Sequence, residues 1–408
     1  MTQKQSFQHT AQLSRERGQP SSSKSLINIR LHEPTFGEDE IAAVVEVMRS
    51  GKVTSGEKVR EFESKFGPNA VMVNSGSSAN LLAISGLVST GRLRPGDEVI
   101  VSALSWSTTV WPLIQHGLIP KIVDIDPDTL NIDLDKAEMA IGKKTTGIMP
   151  VHVYGNPCNL PALSRLQKLR ILTVIEDGCE ALGANGVGSV GDVATYSLYF
   201  SHHITTGEGG MVVTKDPDLA EEMRVLRCHG WIRDMKDGSK YKEAYPDIDP
   251  KFLFVNVGYN LRCTEMQGAM GLSQLPKLMG FVEARRHAAS RLLDGFSRYE
   301  WLITQNCSQE SSWFGFPVIV KNDAPFDANE IRTFFEGNGI ETRSIICGNI
   351  ARQPGLKRYP HVVVGDLKNA DHVMKQGFSI PCHQNMRVED CYHIINVLDN
   401  FMQSRGYD

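Results

Sequence analysis

The stretch SLYFSHHITTGEGG, residues 197–210, joins two short apolar segments, VATYSLY (193–199) and GMVVT (210–214). Short apolar runs bounded by glycine and polar residues predict strands. The residues between them therefore predict a loop, in which Glu208 stands among glycines and threonines and follows two adjacent histidines, His202 and His203. Taken alone, these histidines indicate satisfied polar groups in a loop, because no further metal ligands stand at suitable positions.

Similar apolar runs recur along the chain and alternate with helical stretches. Predicted strands are VMVN (71–74), EVIVS (98–102), KIVDID (121–126), GIMPVHV (147–153) and LTVIED (172–177). Apolar residues at helical spacing predict helices over 38–50, 78–89, 107–116 and 160–169. Because such alternation is typical of parallel strands joined by helices, the sequence predicts an α/β fold with a mainly parallel central sheet.

The pattern changes after about residue 275. A long helical stretch (275–299) precedes a predicted strand (314–320) and a further helix (327–340). We expect a large domain over residues 28–275 and a smaller C-terminal α+β domain over 276–408. Residues 1–27 are polar and contain no apolar signal-peptide core, so we expect a disordered tail there.

Composition excludes several classes of partner. The 408 residues carry a net charge of −4, which gives no reason to expect nucleic acid or an anionic membrane surface. No apolar run is long enough to span a bilayer. The eight cysteines include no C-x-x-C pair, and we interpret them as reduced thiols of a cytoplasmic enzyme without a metal site.

Polar residues follow three of the predicted strands, where the ligands of parallel sheets bind. In NSGSSAN (74–80), Ser75, Gly76 and Ser77 fit a phosphate cradle at a helix N-terminus, although an ordinary capped helix has the same pattern. Asp177 ends another strand and is either a partner for a protonated pyridine nitrogen or a turn cap. Trp106 follows a third strand and either stacks on a planar ligand or packs in the core.

Four motifs together resemble the DegT/DnrJ/EryC1/StrS family of sugar aminotransferases and dehydratases. They are NSGSSAN, IEDGCEALGA (175–184), SHHITTGEGG (201–210) and GYNLRCTEMQGA (258–269), and the likeness covers the chain from about residue 30. The resemblance implies the fold of type I pyridoxal phosphate enzymes and a homodimer whose active sites are shared between subunits. By the same resemblance, the cofactor phosphate would be bound by Ser75, Gly76, Ser77 and Ser197. Asp177 would pair with the pyridine nitrogen and Trp106 would stack on the ring. Asn260 would reach the cofactor phosphate of the partner subunit.

The resemblance also shows what is unusual here. The family's aminotransferases carry a lysine at the position of His202 and an asparagine at that of His203. An imidazole forms no stable imine but exchanges protons near neutral pH. We therefore expect pyridoxal or pyridoxamine phosphate to bind non-covalently, with His202 as the catalytic acid and base.

Histidine at this position, with Glu180, resembles the family's 3-dehydratases of nucleotide-linked 4-keto-6-deoxyhexoses. The resemblance implies that glutamate regenerates the pyridoxamine form and that ammonia is released. In one subgroup, an iron–sulfur cluster is bound by cysteines before the GYN motif. Residues 229–262 contain no cysteine, so we expect neither a cluster nor a reductase partner.

Two further residues are weaker candidates for substrate binding. Arg343 is a candidate for a carboxylate or phosphate, and His383 lies in a segment that resembles a Pro-x-His segment near the family's active site. Ordinary surface or packing roles are the alternative for both. Two other functions stay open from the sequence: a nucleotide-sugar aminotransferase with an unusual base, and a cofactor-binding homologue that has lost catalysis.

Overall fold

The structure is a computed structural model and describes residues 28–407. The predicted tail over 1–27 lies outside these residues. The described chain forms an eight-stranded sheet, a three-stranded sheet and the helices that cover them. Within the described range, no helix is long and apolar enough to cross a membrane.

The strands and helices largely follow the predicted alternation. The strands are β1 Val71–Val73, β2 Glu98–Ser102, β3 Ile119–Val123, β4 Thr145–Met149, β5 Thr173–Asp177, β6 Val193–Ser197, β7 Gly210–Thr214, β8 Leu302–Thr304, β9 Phe316–Val320, β10 Val362–Val363 and β11 Gly377–Ile380. The α-helices are α1 Glu38–Ser50, α2 Glu57–Phe66, α3 Gly76–Ser89, α4 Ser107–Gln115, α5 Leu134–Ala140, α6 Leu160–Arg170, α7 Pro217–Arg227, α8 Ser239–Ala244, α9 Glu265–Gln274, α10 Leu278–Phe296, α11 Ala328–Gly337, α12 Lys368–Gln376 and α13 Val388–Gln403.

The large sheet has the strand order β1-β7-β6-β5-β4-β2-β3-β10. Strand β7 runs antiparallel to both of its neighbours, and the other pairs are parallel. The prediction of a mainly parallel sheet is therefore confirmed. Its central strands are buried, which is why they are continuous apolar runs rather than alternating ones.

Some element ends differ from prediction for local reasons. The predicted strand 147–153 ends at Met149, because Pro150 follows and has no backbone N–H for a sheet ladder. The helix predicted to start at residue 78 starts at Gly76, because Ser75 is its N-cap and accepts a hydrogen bond from Ser78 N at 3.1 Å. This earlier start brings the helix N-terminus to the end of β1.

The small sheet, β11-β9-β8, is antiparallel. Its strands share a buried cluster with α10, α11 and α13. Strand β10 belongs to the same C-terminal part of the sequence but pairs with β3 of the large sheet. The division of the chain into domains at residue 275 stays a prediction.

Candidate active site

A cavity of about 310 Å³ lies where the parallel strands of the large sheet end. Strands β1, β5 and β6 each deliver residues to it from their carboxyl ends or from the turn that follows. Nine of the residues predicted for the site line this cavity: Ser75, Gly76, Ser77, Trp106, Asp177, Glu180, Ser197, His202 and Arg343. The fold therefore gathers into one place residues that lie up to 268 positions apart in the sequence.

The N-terminus of α3 forms one wall of the cavity. Ser77 Oγ lies 3.0 Å from Thr108 Oγ1, so two hydroxyl groups face the same space. A Cβ atom on Gly76 would lie only 2.6 Å from Cβ of Ser197, so no larger residue fits where the two backbones approach. Free N–H groups at a helix N-terminus beside hydroxyl groups favour the binding of an anion such as a phosphate group.

Asp177 lines the cavity from the end of β5, and this residue is 2% exposed. Its Oδ2 accepts hydrogen bonds from Asn80 Nδ2 at 3.0 Å and from Thr109 Oγ1 at 2.7 Å. Its Oδ1 accepts from Cys179 N at 3.2 Å. No Lys, Arg or His within the described residues forms an ion pair with it. A buried, oriented carboxylate without a cation is suited to a ligand that brings a positive charge.

A buried hydrogen-bonded pair supports the end of this strand. His152 Nε2 lies 2.9 Å from Glu176 Oε2, and both side chains are fully buried. Cys158 N donates to His152 Nδ1 at 3.0 Å, so Nε2 carries the proton that is donated to Glu176. The backbone N–H of His152 also donates to the carbonyl oxygen of Asp177. The pair therefore fixes the backbone that carries Asp177.

His202 lies in the loop after β6, with its ring inside the cavity wall. The ring packs against Phe314, with centroids 4.8 Å apart, and edge-on against Tyr199 at 6.0 Å. Its Nδ1 is buried and has no hydrogen-bond partner. Burial, with the positive charges of Arg285 and Arg343 and the ring of His32, lowers the pKa of His202 to about 3. The imidazole is therefore neutral at physiological pH.

Glu180 and Arg343 add charged groups to the same cavity. Glu180 Oε2 accepts a hydrogen bond from Tyr154 N at 3.0 Å. Burial and the nearby Asp177 outweigh that hydrogen bond and the charge of Arg343, and they raise the pKa of Glu180 to about 7. Arg343 is exposed, and no acidic residue between 28 and 407 pairs with it. It is therefore free to bind an anionic group of a ligand.

Trp106 directly precedes α4, and its side chain is 50% exposed at the cavity. It is thus not part of the hydrophobic core. The planar indole is available to a flat ligand on this side.

Two predicted residues lie outside the cavity. Asn260 is exposed and accepts a hydrogen bond from Arg262 Nε at 3.0 Å. His383 is 3% exposed, and burial together with Arg285 lowers its pKa to about 4. Neither is therefore brought to the site within one chain, and their roles stay predictions.

Sequence reasoning missed three residues that shape the site: Asn80, Thr109 and Phe314. Asn80 ends the NSGSSAN motif and could have been recognised as a partner for Asp177. Thr109 lies three residues after Trp106, on the first turn of α4, and residues three apart share a helix face. The sequence could therefore have predicted that Thr109 faces the same site as Trp106. Phe314 comes from the strand region of the C-terminal part, and no motif marks it.

Three observations show that the cavity fits a pyridoxal-phosphate-type cofactor. The close approach of Gly76 and Ser197 suits its phosphate, the buried carboxylate of Asp177 suits its protonated ring nitrogen, and the cavity wall holds an imidazole nitrogen without a partner, Nδ1 of His202. No group of three or more His, Cys, Asp or Glu residues that could hold a metal ion occurs among residues 28–407.

Comparison with known proteins agrees with this geometry. Residues 34–399 match the model of the DegT/DnrJ/EryC1/StrS aminotransferase family. The GDP-4-keto-6-deoxy-D-mannose 3-dehydratase of Yersinia pseudotuberculosis is 39% identical over 390 residues, which are 92% of this chain and 99% of that protein.

Solved structures show the same likeness. The Escherichia coli GDP-4-keto-6-deoxy-D-mannose-3-dehydratase with bound hydrated PLP has a TM-score of 0.85 and 37% identity, and the match covers 91% of this chain and all of that one. A GDP-4-keto-6-deoxymannose-3-dehydratase with a trapped PLP–glutamate geminal diamine has a TM-score of 0.85 and 36% identity, with the same coverage. The prediction of a type I pyridoxal phosphate fold is therefore confirmed.

Proposed function

This chain belongs to the DegT/DnrJ/EryC1/StrS aminotransferase family, and we propose that it is a 3-dehydratase of a nucleotide-linked 4-keto-6-deoxyhexose. The observation that carries the proposal is His202, a neutral imidazole where the family's aminotransferases have lysine, in a cavity that keeps the phosphate cradle and Asp177. The names of the relatives support GDP as the nucleotide.

The net reaction balances without an external reductant. Glutamate and the keto sugar give 2-oxoglutarate, ammonia and the 3-deoxy-4-keto sugar. Glutamate loses two electrons when it becomes 2-oxoglutarate, and the sugar gains two when its C3–OH becomes C3–H. This balance supports a version of the enzyme that needs neither an iron–sulfur cluster nor a reductase.

The cavity residues would hold pyridoxamine or pyridoxal phosphate non-covalently. Ser75, Gly76, Ser77 and Ser197 would bind its phosphate, while Asp177 and Trp106 would hold its ring. When bound, the cofactor supplies an amine for the keto group and an electron sink that makes the 3-hydroxyl easier to expel.

His202 would move the protons. Its Nδ1 is buried and unpartnered, which leaves Nε2 as the nitrogen available to a reacting group. A neutral imidazole accepts a proton and can return it to the departing hydroxyl. Because an imidazole forms no stable imine, His202 would not recapture the cofactor as a lysine does.

Arg343 and Glu180 would prepare the site for its two substrates. Arg343 is free to bind a carboxylate of glutamate or a phosphate of the nucleotide sugar. Glu180, with a pKa raised to about 7, would accept or donate a hydrogen bond according to its protonation. We also propose that the protein is a homodimer, in which Asn260 of each chain contacts the cofactor phosphate of the other.

The proposed function is tested by following both halves of the reaction. The purified protein is mixed with pyridoxal phosphate and glutamate, and we expect the aldehyde absorbance to disappear. A GDP-4-keto-6-deoxyhexose is then added, and the product is analysed by mass spectrometry. Loss of one sugar oxygen is expected; an amino sugar would instead establish an aminotransferase, and unchanged absorbance would indicate a non-catalytic homologue.

Substitution of Gly76 tests the phosphate cradle. In Gly76→Ala, the new methyl group would collide with Ser197 and displace the helix N-terminus. We expect a fall in pyridoxamine phosphate affinity of about ten- to hundredfold, the scale of one hydrogen bond to a charged group. Gly280→Ala is the matched control, because that helical glycine has open space around it. Equal affinities for both variants, measured by titration, would contradict the assignment.

A further inference from the structure

We call the segment between β6 and β7, which contains His202 and His203, the histidine loop. A buried arginine without a carboxylate partner lies near this loop. Arg285 is 1% exposed on α10 and does not line the cavity. Its guanidinium forms no ion pair with any acidic residue in the described range. Because an unpaired buried charge is costly, its position needs a reason other than ionic stabilisation.

The guanidinium holds backbone carbonyl groups from two separate segments. Nη1 lies within 3.1 Å of the carbonyl oxygens of Trp313, Phe314 and Cys382, and Nη2 donates to Gln384 Oε1 at 3.0 Å. A planar guanidinium presents its donors in a rigid fork, so it fixes these segments relative to each other. We call Ser312–Phe314 the covering turn.

The covering turn is also hydrogen-bonded to the backbone of Tyr154 and Gly155. Phe314 N donates to the carbonyl oxygen of Tyr154, and Ser312 N donates to that of Gly155. Trp313 adopts a left-handed backbone conformation, with φ 50°, which turns the next side chain toward the cavity. His203 Nε2 lies 3.1 Å from the carbonyl oxygen of Ser312. The turn therefore contacts the histidine loop directly.

We propose that Arg285 is a positioning residue for His202: it holds the covering turn so that Phe314 packs on the imidazole, and it presents an uncompensated positive charge to the same loop. The inference rests on the proposed function only in giving His202 a catalytic task. The position of the Phe314 ring, 4.8 Å from the His202 ring, is the geometric link between the two residues.

The charge of Arg285 acts on every histidine near the turn. After burial itself, Arg285 is the strongest influence that lowers the pKa of His202, of His203 and of His383. Arg343 and His32 also lower the pKa of His202. His203 interacts with His202, the Tyr199 ring contacts it, and Asp177, Cys179, Glu180 and Glu208 line the same cavity. Arg285 thus favours the neutral imidazole, which is the form that accepts a proton.

The test is a direct titration of His202 in the full-length protein, with and without pyridoxamine phosphate. Histidine ring resonances are followed by NMR in protein labelled with ¹⁵N-histidine, and His202 is assigned from its loss in His202→Asn. In Arg285→Gln, which keeps an amide donor but loses the charge, we expect the titration midpoint to rise by about one pH unit or more. The pH below which the dehydration rate falls should rise as well.

Arg286→Gln is the matched control. Arg286 donates to the carbonyl oxygens of Ser311 and Glu310, which directly precede the covering turn, but it does not contact Phe314 through a hydrogen bond. We expect its His202 midpoint to equal that of the wild type. A midpoint that does not move in folded Arg285→Gln, or that moves equally in Arg286→Gln, would overturn the proposal. The NMR readout does not depend on the reaction, so a failure of the proposed function is seen separately.

Arg285→Lys covers the case in which Arg285→Gln does not fold. Lysine keeps the positive charge but loses the rigid fork of guanidinium donors. The His202 titration midpoint should therefore stay near that of the wild type, while the dehydration rate falls. A midpoint in the lysine variant that rises by a full pH unit would overturn the electrostatic role. A dehydration rate equal to that of the wild type would overturn the positioning role.

Discussion

His202→Asn is expected to lose both halves of the reaction while it still binds the cofactor. Asparagine keeps a polar side chain of similar size in the loop but cannot exchange a proton near neutral pH. General acid–base catalysis contributes about 10²- to 10⁴-fold, so we expect a rate loss of that order in single-turnover measurements with glutamate and with the sugar. Cofactor affinity should change little, because the cradle and Asp177 remain.

The matched control for this prediction is His203→Asn. His203 is buried beside His202, but its Nε2 is bonded to a backbone carbonyl group, and it does not line the cavity. The family's aminotransferases carry asparagine there, so the substitution fits the loop, and we expect a loss below about tenfold. A His202→Asn variant that keeps a rate within tenfold of the wild type would remove His202 from the mechanism.

Asp177→Asn is expected to be nearly as damaging, for a different reason. The amide would keep some of the hydrogen bonds to Asn80 and Thr109 but would remove the only negative charge facing the ring nitrogen in the proposed binding mode. Removal of one partner of a buried charge pair costs about 3–5 kcal/mol, which corresponds to a rate or affinity loss on the order of 10²- to 10⁴-fold. The loss should appear in cofactor affinity and in the absorbance of the bound ring.

Asp124→Asn provides the control for a buried aspartate after a strand. Asp124 is also 2% exposed and follows β3, but it accepts hydrogen bonds from the backbone of Asn369 and Ala370 and pairs with Lys136. We expect a lower melting temperature in this variant and an unchanged spectrum of the bound cofactor. If Asp177→Asn binds the cofactor with wild-type affinity and spectrum, the carboxylate does not face the ring nitrogen.

The parts of the site that sequence reasoning located are those at the ends of apolar strands. Asp177 ends β5 and the turn at Ser75 follows β1, so strand prediction placed both at one edge of the sheet. Ser197 ends β6, but it was predicted inside a strand over 193–199, and only the family resemblance implied its phosphate role. The residue types in these turns left a capped helix and a turn cap open as alternatives, and the resemblance of four motifs to one family then implied a phosphate and a charged ring. The substitution at His202 was evident because the flanking TTGEGG segment fixed its position in the loop.

The parts that sequence reasoning did not locate depend on tertiary packing. Phe314 reaches His202 only because the covering turn is held by Arg285 and by the backbone of Tyr154, contacts between segments about 30 and 160 residues apart. The raised pKa of Glu180 likewise results from burial, which no local pattern shows. Asn260 lies outside the cavity of its own chain, so its proposed role would require a second subunit.

As the proposed dehydratase, this enzyme releases the amino group of glutamate instead of leaving it on the sugar. The most direct test follows ¹⁵N-labelled glutamate through one round of reaction with a GDP-4-keto-6-deoxyhexose and measures where the label is found. We expect one labelled ammonia for each 3-deoxy-4-keto sugar formed, with 2-oxoglutarate in equal amount. Label retained in an amino sugar that keeps its 3-hydroxyl would contradict it and would show that His202 supports amino transfer.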